Sequence, residues 1–119
     1  MEKINFASKF EQFDELWSPR VIALMNNYEF KLVKIKDEFV WHSHDHTDEV
    51  FVVLKGVINI EFEDRTVELN QGEMLVVPKG EKHKPFAREE AQILLVEPKG
   101  VVNTGEVESH LTAKNGQWV

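Results

Sequence analysis

Cysteine is absent from the 119 residues, so no disulfide can staple the fold, and any metal must be held by nitrogen and oxygen ligands alone. Long apolar runs are missing as well. Stretches such as Val50 to Leu54 fall far short of a membrane span. The opening residues, Met1 to Phe6, contain no apolar core of secretory length, which makes a cytoplasmic location the expectation. Basic residues are in the minority, 14 against 21 acidic ones, and the formal net charge is -7. Such a field repels phosphate backbones and anionic lipid surfaces, so neither nucleic acid nor membrane is an expected partner. No internal repeat, low-complexity tract or linker interrupts the chain.

Apolar residues make up 42% of the chain and include eight Phe and three Trp, enough to fill the core of one modest domain. The arm over residues 1–20 carries the spacing Ser8-x-x-Glu11 of a capping box. Phe6, Phe10, Phe13 and Trp17 recur there at helical intervals until Ser18-Pro19 stops them. This predicts a short amphipathic helix that covers one end of the domain and carries no chemistry.

From Pro19 onward the periodicity changes to short segments rich in β-branched and aromatic residues. They run over Val21 to Met25, Tyr28 to Lys36, Val40 to His44, Glu49 to Leu54, Val57 to Glu63, Thr66 to Leu69, Met74 to Val77, His83 to Ala87 and Gln92 to Val96. Turn-forming or solvated residues separate them, among them Asn26-Asn27, Lys55-Gly56, Asn70-Gln71-Gly72, Pro78-Lys79-Gly80 and Arg88-Glu89-Glu90. No helical run between strands is long enough for a parallel crossover. The expected fold is therefore all-β, an antiparallel sandwich or barrel over residues 21–98, with residues 99–119 as a polar tail packed over it.

Four of the five histidines fall in two places, His42-Ser43-His44-Asp45-His46 and Lys82-His83-Lys84. On a strand His42 and His44 point to the same face, whereas on a helix residues two apart diverge. A turn through Asp45 to Asp48 returns the chain so that Glu49 can set a carboxylate beside the two imidazoles. Pro78 ends the strand Met74 to Val77 because it lacks a ladder donor, and Gly80 permits the reversal that presents His83 inward as a fourth ligand.

With these residues in view the chain resembles the cupin superfamily. The family's first motif appears as His42-x-His44, four residues, Glu49, six residues and Gly56. The second appears as Gly72, five residues, Pro78-x-Gly80, two residues and His83. Two family positions differ: Lys36 replaces a Gly before His42, and Ala87 replaces an Asn after His83. Neither is a metal ligand in the family, so the departures bear on pocket hydrogen bonding and substrate. The chain looks like the small single-domain cupins often labelled mannose-6-phosphate-isomerase-like, a label that says little about activity. The resemblance implies a double-stranded β-helix, or jelly-roll barrel, with the metal inside its mouth, and commonly a homodimer.

Three imidazoles and one carboxylate suit Fe(II), Mn(II), Ni(II) or Zn(II), and an octahedral ion so held keeps about two positions open. One expectation is an enzyme, of oxygenase or isomerase type, in which a small oxygen-bearing molecule chelates the metal. The alternative is a non-catalytic module in which the metal only orients a small molecule or carbohydrate. A third reading is a metal-free barrel with a polar ligand-binding interior. An extra acid or base within reach of the bound molecule separates the first two, and His46 and Lys34 are the candidates. Catalytic residues are not otherwise assigned. Phe51, which shares parity with Glu49, is the candidate pocket wall; Trp41, of parity opposite to His42, is expected outside. His110 is read as a solvated residue of the tail.

Overall fold

A computed structural model describes residues 1–119. One short helix, α1 (Phe6–Phe10), precedes seven strands: β1 (Arg20–Met25), β2 (Tyr28–Glu38), β3 (Glu49–Lys55), β4 (Ile58–Phe62), β5 (Thr66–Leu69), β6 (Met74–Val77) and β7 (His83–Pro98). Every strand pairing is antiparallel. Strands β1-β2-β7-β3-β6 form one face, while β4 pairs with β5 and with the first part of β7. Because β7 belongs to both, the sheet wraps round on itself, and the fold is the all-β jelly-roll barrel.

Period-two burial makes the interior. Phe51 and Val53 of β3, Ile58, Ile60 and Phe62 of β4, and Ala91, Ile93 and Leu95 of β7 alternate inward and join one core cluster with Val33, Ile35, Phe39 and Trp17. A smaller cluster of Phe10, Phe13, Ile22 and Leu32 lies where the N-terminal arm packs on the outer face of β1 and β2. Burying a side chain of this size contributes about 1.5–3 kcal/mol, so the arm is held to the sheet.

Four local expectations are corrected. Helix α1 is capped by Asn5, whose side-chain oxygen accepts from the Ser8 N–H at 2.9 Å, and not by a box from Ser8 to Glu11. Trp17 leaves the helical stripe: its φ of 59° turns it into the main core, where it stacks on Phe39 with ring centroids 4.5 Å apart. Residues 40–44 are not a strand. Phe39 donates to the Pro85 carbonyl at 3.0 Å, but proline has no N–H to return, so the ladder there is one-sided until His42 and His83 pair. Arg88-Glu89-Glu90 does not separate two strands either. Those three residues form an exposed irregularity within β7, where the register with β2 jumps between Ile35↔Ala91 and Asp37↔Ala87.

The segment after β7 is built, not loose. Asn103 donates its amide hydrogens to the carbonyls of Trp17 and Leu111, each at 2.9 Å, and accepts from the Ala113 N–H at 2.9 Å. Thr104, fully buried, shares a 2.8 Å hydrogen bond with Thr112. No helix is long and apolar enough to cross a membrane.

Candidate metal centre

His42 and His83 reach each other by backbone. The His42 N–H donates to the His83 carbonyl at 3.0 Å and the His83 N–H returns the bond at 2.9 Å. This pair brings the two distant histidine segments to one point. Each ring is then fixed through Nδ1, against the Val40 carbonyl at 2.9 Å for His42 and the Glu81 carbonyl at 2.8 Å for His83. With Nδ1 carrying the donated hydrogen, Nε2 is left as the lone-pair nitrogen aimed inward. Gly80 (φ +79°) occupies the left-handed turn before His83, and its N–H donates to the His44 carbonyl at 3.0 Å, tying the two segments again.

Glu49, first residue of β3, stands between the rings. Its carboxylate oxygens lie 3.3 Å from His44 Nε2 and 3.5 Å from His83 Nε2. One ligand atom from each of His42, His44, Glu49 and His83 lies within 4.8 Å of every other, and all four residues are buried. Nε2 of His44, Nε2 of His83 and Oε1 of Glu49 are buried without a hydrogen-bond partner. A buried polar atom left unpaired costs on the order of 1–3 kcal/mol, so three facing one another are unfavourable without something between them. Nitrogen and carboxylate donors at this spacing fit a divalent transition ion.

Electrostatics suit the same end. Burial, reinforced by the neighbouring His83, lowers the pKa of His42 to about 4 and keeps its ring neutral. For Glu49 burial alone would raise the pKa, but the neighbouring His44 and His83 rings outweigh it and hold the carboxyl well below the usual range. Behind Glu49 lies a feature the sequence reading did not single out, the buried charges Glu29, Lys31 and Glu97. Lys31 Nζ sits 3.0 Å from Glu97 and 3.6 Å from Glu29, and also donates to the Val101 carbonyl at 3.3 Å. Burial, together with the neighbouring charge of Glu49, pushes the Glu97 pKa well above the ordinary value. The signal was available in principle: Glu29 and Lys31 share the parity of the inward Val33 and Ile35.

A cavity of about 340 Å³, counting its mouth, opens beside His42 and Glu49. Trp17, Val33, Ile35, Phe51, Ile93 and Leu95 form most of its wall, and Asn103 is also on it. Phe51 therefore lines the cavity, as its parity implies, with its ring centroid 6.1 Å from that of His83. The other two residues named for the pocket are elsewhere. His46 is exposed in the turn before β3. Lys34 has the parity that points through the outer face of β2, and its ammonium donates to the Phe13 carbonyl at 2.6 Å under the N-terminal arm. Trp41 lies outside the cavity, its ring 5.8 Å from Lys84 Nζ. Trp17 and Asn103 join the wall through tertiary packing, which no local motif announces.

The cupin domain model matches residues 30–97, more than half of the chain. The solved structure of a cupin-2 domain containing protein from Shewanella frigidimarina is similar, with 56% sequence identity, a TM-score of 0.80, and coverage of 81% of this chain and 94% of that one. A Neisseria meningitidis protein of known structure is 30% identical at a TM-score of 0.76, covering 82% of this chain and all of its own (100%). The uncharacterized protein YdbB of Bacillus subtilis is 36% identical over 64 residues, 53% of this chain. The match spans 57% of that relative's length.

Proposed function

This chain belongs to the cupin domain family, and on that footing we propose that His42, His44, Glu49 and His83 hold one divalent transition metal at which a small oxygen-bearing molecule binds. The observation that carries the reading is the trio of buried, unpartnered donor atoms on His44, His83 and Glu49. When bound, such an ion supplies Lewis-acid polarisation of an oxygen donor and, if redox-active, electron transfer as well. The chain's own residues orient and shield. The Val40 and Glu81 carbonyls set the ring planes of His42 and His83, Glu49 brings one negative charge, and Phe51, Phe39 and Trp17 exclude water from the cavity.

Of the two enzymatic types, the cavity supports oxygenase chemistry over isomerisation. Moving a proton between carbons needs a base free of the metal. The titratable side chains on the wall are His42 and Glu49, both in the ligand set. That same observation favours a second reading, a binding module whose metal orients a small molecule without transforming it. A homodimer belongs to the proposal too, supported by Met74 and Val76, which stand exposed on the outward face of the edge strand β6.

Elemental analysis of natively purified protein tests the core of the proposal, with about one transition metal per chain expected. Oxygen uptake by the iron-loaded protein, assayed against small oxygen-bearing molecules, then divides enzyme from binding module. Protein that neither carries a metal nor takes up added iron or zinc defeats both.

A further inference from the structure

Resting on the metal reading above, we infer that the molecule bound here has an apolar body and a single oxygen-bearing polar end, and is neither a sugar nor a sugar phosphate. The wall decides this. Apart from His42 and Glu49, its side chains are apolar with one exception, Asn103. Both amide hydrogens of Asn103 are spent on the Trp17 and Leu111 carbonyls, and its oxygen accepts from Ala113. A bound molecule therefore finds its hydrogen-bonding partners at the metal-ligand end. Each further hydroxyl buried against Val33, Ile35, Ile93 or Leu95 loses its water without replacement, which weakens binding roughly tenfold.

Charge points the same way. A divalent ion, three neutral imidazoles and one carboxylate leave a single positive charge, matched by one anionic or neutral oxygen donor. A phosphate dianion would need a further cation. The two buried lysines are committed elsewhere, Lys31 between Glu97 and Glu29 and Lys34 on the Phe13 carbonyl. Size sets an upper bound, because the 340 Å³ includes open solvent at the mouth and the enclosed space is smaller still, so the apolar body is no larger than one ring or a short branched chain.

Trp17 is the one tryptophan on the wall and gives a local readout. In a full-length Trp41→Phe, Trp118→Phe variant loaded with zinc, phenol or isobutyrate should change Trp17 fluorescence saturably. Either should bind at least tenfold more tightly than mannose 6-phosphate, and at least tenfold more weakly once zinc is removed. Zinc uptake, followed separately by competition with a chromogenic chelator, keeps the two levels apart. If zinc binds but neither probe saturates, or mannose 6-phosphate binds as tightly, the inference is overturned while the metal reading stands. If zinc does not bind, the metal reading falls and this inference with it.

Discussion

At His83 the two ring nitrogens do different work: the Glu81 carbonyl holds Nδ1 at 2.8 Å, which leaves Nε2 facing Glu49 without a hydrogen bond. Chelation depends on that lone pair, whereas the fold depends on backbone bonds that survive its loss. His83→Ala or His44→Ala should therefore strip most of the metal, lowering affinity at least tenfold, while the barrel's circular dichroism is retained; full metal occupancy in either variant refutes the ligand set. His42 carries a pH consequence in metal-stripped protein. Its ring stays neutral in the folded chain down to about pH 4, while an unfolded imidazole protonates near its ordinary value of 6.5. Between those values the unfolded chain binds the extra proton, so stability is full above 6.5 and is lost as pH falls toward 4, by on the order of 3 kcal/mol. Urea midpoints at pH 7 and pH 4.5 should show the decline, and His42→Asn should flatten it. Equal slopes in the two proteins would contradict the assignment.

Among the elements, β7 and the segment after it do most to build the site. β7 sets His83 at one end and Glu97 at the other, and its irregularity at Arg88-Glu89-Glu90 lets one strand serve both halves of the barrel. Beyond it, Gly105 rests against the ligand-bearing segment. A Cβ added there would lie 2.2 Å from the Ser43 carbonyl oxygen, and the backbone is left-handed at φ +63°. Gly105→Ala should therefore undock the segment around Asn103 and Thr104. The cost of a left-handed alanine, about 1–2 kcal/mol, adds to the clash. Amide exchange in residues 101–113 is expected to speed up at least tenfold, with strands β2 and β7 unchanged. Undisturbed exchange would mean that the segment is held by something other than this close approach.

Taken as a whole molecule, the chain presents an acidic surface with an apolar strip at one edge of its larger face. Met74 is 56% exposed and Val76 is 47% exposed, side by side on β6, and a second copy is the proposed cover. Sedimentation should give a dimer for the native protein and a monomer for Met74→Glu, Val76→Glu; a native monomer would count against the dimer. At this scale the sequence already contained the barrel, because inward alternation, turn residues and the absence of a crossover helix are local properties of neighbouring residues. It also contained the ligand types and their spacing, His42-x-His44 to Glu49 and the Pro78-x-Gly80 turn before His83, but the two segments meet only through the long-range backbone pairing of His42 with His83. Other features could be fixed only by folding in three dimensions. The capture of Trp17 by Phe39, the saturation of Asn103 by three backbone groups, the departure of Lys34 to Phe13, and the meeting of Lys31, Glu29 and Glu97 behind Glu49 all join residues far apart in the chain. Side-chain parity can say which way a residue points, but the partner it meets depends on which distant strand or segment packs there, and that is a matter of register and closure.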